Sequence, residues 1–145
     1  MMPRQPPLNV SGAITSVLED RAPESLVAAY LFGSHAELRV HRESDVDVGV
    51  LLDRGHVPTA RERFEEGLRL ATLLMPATAG RALDVVVLND VPPGLARHVV
   101  TTGQLLYCRD AEAEHAFRRD SQLRAADLEP FLRRLRRIKL DAIAR

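Results

Sequence analysis

Residues 30–53 read YLFGSHAELRVHRESDVDVGVLLD, and this stretch decides how the rest of the chain is taken. A short apolar run ends in Gly33 and Ser34, a mostly polar segment of ten residues follows, and Asp45 and Asp47 then stand at the head of a second apolar run. Side chains at i and i+2 of a strand share a face, so the two carboxylates point the same way. On a buried strand they repel each other and lose hydration, which calls for a cation to compensate them. A divalent metal is the obvious candidate, since Mg²⁺ prefers hard oxygen ligands. Gly33 and Ser34, placed directly after a strand, add a place for phosphate. There the backbone approaches an anion closely, and free N–H groups at the start of the next segment favour it.

Upstream, Ser25 to Phe32 is a continuous apolar run of strand length, which predicts a strand buried on both faces. Before it, Ser11 is placed to cap a short helix from about Gly12 to Arg21, closed by Pro23. The first ten residues, MMPRQPPLNV, read as a flexible arm, and residues 11–145 as a single domain. Downstream of the Asp45–Leu52 strand, Thr59 and Glu62 form a capping box. Phe64, Leu68, Ala71 and Met75 recur at helical spacing behind it, and Pro76 closes that helix. A third strand, Leu83 to Leu88, leads through Asn89, Asp90 and two prolines into a helix that stops before Gly103. Gln104 to Cys108 is a fourth strand. From Asp110 the pattern is helical, in one segment to about Arg124 and another from Pro130. In the second segment Phe131, Leu135, Ile138 and Ala142 form a stripe among arginines. The order predicts an α/β (α+β) domain: a small mixed sheet of about four strands with flanking helices.

The 145 residues carry balanced charge, with 20 basic and 20 acidic side chains, so no global field draws the chain to nucleic acid or membrane. No apolar run reaches the ~20 residues of a membrane span, and the start lacks the apolar core of a signal peptide. Cys108 is the only cysteine, which excludes an intramolecular disulfide and fits a cytoplasmic protein. Its apolar setting, QLLYC, reads as that of a buried, inert thiol. The five histidines show no zinc spacing.

Asp84 opens the third strand and is the best candidate to complete a cluster with Asp45 and Asp47. Three such carboxylates can hold two metal ions about 3.5–4 Å apart, the arrangement used in phosphoryl and nucleotidyl transfer. The competing readings are plainer. Asp84 could pair with Arg81, Ser34 could simply cap the segment after it, and the arginines of the last helix could be a solvated face or a docking surface for a partner or RNA.

Gly33-Ser34, ten residues, then Asp45-Val46-Asp47, with Asp84 opening a later apolar strand, resembles the signature of the DNA polymerase β-like nucleotidyltransferase superfamily. The likeness is to its minimal nucleotidyltransferase (MNT) branch, which includes the antitoxins paired with HEPN-type toxins. It covers nearly the whole chain, from LFGSHA through ESDVDVGVLLD and LDVVVLNDVPPGLARHVVTTGQLLYCRD to the closing EPFLRRLRRI. By that resemblance Gly33 and Ser34 would hold the triphosphate of ATP. Asp45 and Asp47 would coordinate two Mg²⁺ ions, and Asp84 would bind the catalytic one and help deprotonate the acceptor hydroxyl. The implied reaction moves AMP from ATP to a tyrosine of the cognate HEPN toxin. Where the family often has a basic residue this chain has Glu37, with Arg39 and Arg42 as nearby cations. Larger superfamily members carry further acceptor domains, and the short chain favours a protein acceptor. The alternatives are an antitoxin that neutralises by binding alone, and transfer to a small molecule of the aminoglycoside kind.

Overall fold

The run LVAAYLF, Leu26–Phe32, forms strand β1, and six of its seven side chains are buried. Only a central strand covered on both faces has such a pattern. The computed structural model describes residues 9–33 and 45–144. Ser34 and the segment 35–44, with Glu37, Arg39 and Arg42, lie outside the described residues, as do residues 1–8 of the expected arm. The elements run α1 (Val10–Arg21), β1, β2 (Val46–Leu52), α2 (Ala60–Leu74), a 3₁₀ turn (Met75–Thr78), β3 (Leu83–Val87), α3 (Pro93–Thr102), β4 (Gln104–Cys108) and α4 (Ala111–Ala144).

The four strands form one mixed sheet in the order β3-β2-β1-β4. β1 is antiparallel to both of its neighbours, whereas β2 and β3 are parallel. Parallel neighbours need a long crossover, and α2 supplies it. The sheet separates two cores. On one face Val46, Val48 and Val50 meet Ile14 and Leu18 of α1 and Leu70 and Leu74 of α2. On the other, Tyr30, Leu51 and Leu88 meet Val99 and Val100 of α3 and Phe117 of α4. The pleat of β2 thus turns its even-numbered valines to α1 and α2, and Asp47, Gly49 and Leu51 to the other side. Gly49 lets α3 approach: a Cβ there would lie 3.1 Å from Val99.

Several expectations change. α1 begins at Val10, and its cap is Asn9, whose side chain accepts from the Gly12 N–H at 2.9 Å; Ser11 donates its hydroxyl to that same oxygen. Val10 is buried and belongs to α1. The capping box at Thr59 and Glu62 is present, but the buried face of α2 is Arg63, Gly67, Leu70 and Leu74. Phe64, Leu68 and Met75 are exposed. The displaced stripe has a physical cause in Arg63, an arginine 4% exposed. Its guanidinium grips both oxygens of Asp90 at 2.8 and 2.9 Å and donates to the carbonyls of Val57 and Pro58. A fully hydrogen-bonded fork can be buried where an unpaired one cannot.

The two expected C-terminal helices are one. α4 runs through Pro130 without a break: the proline forfeits one backbone hydrogen bond and crowds the carbonyl four residues back, but AADLE ahead of it contains no helix breaker. Cys108 is exposed, because it sits on β4, an edge strand of the sheet.

Candidate active site

β1 ends at Gly33, whose φ of +75° lies in the left-handed region that side chains with a Cβ avoid. A second constraint acts at the same residue. Asp47 stands opposite Phe32 in the β1–β2 register, and its carboxylate covers Gly33: a Cβ on that residue would lie 2.6 Å from Asp47 Oδ2. The glycine therefore seats a carboxylate as well as turning the chain.

Asp84 is the direct neighbour of Asp47 across the β2–β3 ladder. Parallel neighbours sit about 4.8 Å apart with side chains on the same face. Asp45 lies two residues before Asp47, immediately ahead of β2, where the Val46 N–H donates to the Ala82 carbonyl at 2.8 Å. Asp47 and Asp84 thus share the sheet face that carries α3 and α4, at the end where β2 and β3 begin, and Asp45 lies at that same end. Asp45 and Asp84 are exposed and Asp47 is half-buried. Ser34 lies outside the described residues. Among the described residues, no three carboxylate, imidazole or thiol groups converge into a ready ion cage. The donor chemistry nevertheless fits a hard divalent cation: oxygen ligands only, at one end of the sheet, beside a glycine seat that a methyl group would fill.

A polar brace holds the same face of the sheet. Tyr30, fully buried two residues before Phe32, donates its hydroxyl to Glu114 of α4. Arg118 bonds that carboxylate at 2.7 Å and donates to the Val100 carbonyl at 2.6 Å, so β1, α3 and α4 meet in one network. Burial raises the Tyr30 phenol well above its usual range, and the Glu114 carboxylate beside it adds to the shift. Burial alone would also raise Glu114, but the hydrogen bonds from Tyr30 and Arg118 outweigh it and hold the carboxyl below the usual range. Sequence reading missed this brace. The available signals were a tyrosine inside a run buried on both faces, whose hydroxyl needs a partner, and a Glu–Arg pair at i,i+4.

A groove of about 410 Å³ between α2 and the edge strand β3 reaches Asp84 and is lined by Phe64, Leu68, Leu83 and Val85. No helix among the described residues is long and apolar enough to cross a membrane.

The family described as polymerase beta, nucleotidyltransferase matches residues 13–112. That span holds the strands, Gly33 and all three aspartates. No curated protein matches the chain. Among solved structures, the chain is similar to a crystal structure of a toxin–antitoxin with AMP-PNP. It is 25% identical to that structure, with a TM-score of 0.60, covering 93% of this chain and 98% of that one. A tri-AMPylated Shewanella oneidensis HEPN toxin in complex with MNT antitoxin matches at 22% identity and a TM-score of 0.55, over 94% and 97% of the two chains. The MntA–HepT toxin–antitoxin matches at 23% and 0.54, over the same shares. At these lower identities the likeness is one of fold. The family match and the carboxylate-bearing sheet face together place the chain in the polymerase beta nucleotidyltransferase family.

Proposed function

We propose that the protein transfers AMP from ATP to a tyrosine hydroxyl of a cognate HEPN toxin and so acts as its antitoxin. The observation that carries this reading is the seating of Asp47 over Gly33 with Asp84 beside it in register. The neighbour with AMP-PNP and the neighbour with an AMPylated toxin support adenine nucleotide as donor and a HEPN protein as acceptor.

In the reaction, the acceptor oxygen attacks the α-phosphorus of ATP, the bond from that phosphorus to the β-bridging oxygen breaks, and pyrophosphate leaves. By the family resemblance Asp84, which is exposed and lies beside Asp47, would help take the hydroxyl proton. Asp45, Asp47 and Asp84 would hold Mg²⁺, which neutralises phosphate charge and favours the deprotonated acceptor. Gly33 gives the triphosphate close backbone approach, with Ser34 as the neighbouring hydroxyl. The Tyr30–Glu114–Arg118 brace keeps the end of β1, and hence Gly33, fixed against α4.

The test is transfer of label from α-labelled ATP to the co-expressed HEPN protein, read also as a gain of AMP mass. Asp47→Asn removes one charge at constant size and should abolish both. If wild-type protein with Mg²⁺ leaves a folded partner unlabelled, the reading fails.

A second reading is neutralisation by complex formation alone, favoured by the carboxylates that do not converge among the described residues. Under it, Asp47→Asn would still neutralise the toxin in growing cells, and the partner's mass would not change.

A further inference from the structure

The apolar face of α4 is continuous, but the protein covers only its first half. Phe117 packs into the core beside α3, and Ser121 and Ala125 are buried. At the same helical spacing the stripe goes on through Leu128, Phe131, Leu132, Leu135 and Ile138, and here every side chain is exposed, Phe131 at 55% and Ile138 at 64%. α3 runs alongside only as far as its own start. Gly94 and Arg97 meet Leu132 and Arg136 around a recess of about 210 Å³, and beyond it α4 projects alone. The residues that follow the recess, 137–144, extend about 12 Å at ~1.5 Å per helical residue.

Charge identifies what covers this overhang. Residues 130–140, PFLRRLRRIKL, contain five basic side chains and no acid. Arg134 and Arg136 flank the stripe, one on each side. Among the described residues neither they nor Arg137 has an ion-pair partner. A second copy of this chain would press one arginine block against another. RNA would neutralise the arginines but leave a row of apolar side chains against phosphates. A bilayer is flat, whereas the stripe faces the side on which α3 and the sheet sit, so the exposed surface is an inside corner. A convex protein helix with an apolar face edged by Asp and Glu fits that corner and both flanking arginines.

We infer that the α4 overhang is the docking surface for the acceptor protein, through an apolar helix face bordered by acidic side chains. Identifying that partner with the acceptor rests on the function proposed above. The overhang leaves the domain beyond the ends of β2 and β3, past the cleft where Arg54 and Asn89 meet Asp120 and Arg124, whereas Asp47 lies where those strands begin. Docking therefore tethers the acceptor and raises its local concentration, and it takes no part in bond making.

The experiment titrates the cognate HEPN protein into wild type, Phe131→Asp/Leu135→Asp and Arg134→Glu/Arg136→Glu by calorimetry, with thermal unfolding as the folding check. All four positions are exposed, so both variants should unfold as wild type does. Each should bind at least tenfold more weakly, and wild-type affinity should fall with added salt. Transfer should show KM raised by the same factor with kcat unchanged. Binding of both variants within twofold of wild type overturns the proposal. So does a wild-type dimer that either variant dissociates, or tighter binding of the overhang to tRNA or to phosphatidylserine vesicles than to the HEPN protein. If the variants weaken the complex but wild type transfers no AMP, the docking surface stands and the transferase reading falls. If transfer occurs and the variants leave KM alone, the reverse holds.

Discussion

Replacing Gly33 with alanine tests the site at its tightest point. The new methyl would meet two penalties. The backbone at φ +75° costs a residue with a Cβ about 1–2 kcal/mol. For a chain of this length that share lowers Tm by about 3–7 °C. The Cβ would also stand 2.6 Å from Asp47 Oδ2, where ordinary contact begins near 3.4 Å. The carboxylate must then retreat by several tenths of an ångström. Misplacing a reacting group by ~1 Å costs about 10²-fold, so Gly33→Ala should lose about 10- to 100-fold in the rate of AMP transfer.

A double-mutant cycle separates the two penalties. In the Asp47→Ala background the methyl has no carboxylate to strike, and Gly33→Ala should cost only its backbone share. Unfolding in urea of the four proteins then gives a coupling of about 1 kcal/mol, above the ~0.3–0.5 kcal/mol scatter expected of independent sites. Additive costs within that scatter would refute the seating of Asp47 over Gly33. A Gly33→Ala protein with wild-type Tm and rate would refute the left-handed turn as well.

Two further outcomes follow from the buried polar pairs. Tyr30→Phe should cost about 1–2 kcal/mol by removing one bond to Glu114. The raised Tyr30 phenol contributes stability that is present below its unfolded value near pH 10 and lost as pH rises through the folded one. Alkaline urea curves should therefore fall for wild type and stay flatter for Tyr30→Phe; parallel curves would contradict the brace. Arg63→Met strands Asp90 and opens the cradle of Val57 and Pro58 carbonyls, at about 2–4 kcal/mol, discounted from the ~3–5 kcal/mol of a fully buried pair because Asp90 is partly exposed. Hydrogen bonds from Arg63 hold the Asp90 carboxyl below the usual range, so its stability is present above about pH 4 and lost as pH falls through the folded value. Acid unfolding of Arg63→Met should be the shallower, and an unchanged acid limb would remove Asp90 from the account.

The sequence made the strands legible because each is a local pattern. β4 was bounded at Gln104 and Cys108 by its flanking glycine and charges, and β1 by an apolar run with no alternation. The placing of Gly33 at the end of β1 and of Asp47 and Asp84 at the starts of β2 and β3 was likewise legible, through spacing and residue type. What escaped depends on partners remote in the chain. Arg63 could not be read as a core residue without Asp90, which the fold brings to it from 27 positions away. Hydrophobic spacing therefore assigned α2 the wrong face, through Phe64 and Leu68. Glu114 is buried only because the fold brings Tyr30, 84 positions away, within reach of its carboxylate. Pro130 is a breaker by rule, yet it stops nothing where the helix is exposed and the residues before it favour helix.

The register of β2 carries both the fold and the site. Side chains alternate along a strand, so a slip of one residue would exchange its faces completely. Val46, Val48 and Val50 would leave the core they share with Ile14, Leu18 and Leu70, and the Asp47 carboxylate would enter it. Each valine forfeits about 1.5–3 kcal/mol when exposed. A buried, unpaired carboxylate costs several kcal/mol more or is forced to take up a proton. Gly49 guards the same register, because only its bare backbone admits Val99 and Leu88 at 3.1 Å; a valine in that place would lift α3 from the sheet. The alternation that makes β2 a strand therefore also fixes which face carries Asp47 and, through the parallel ladder, sets Asp84 beside it. A carboxylate pair held in place by the core behind it needs no separate scaffold, so a sheet of four strands is enough to present it.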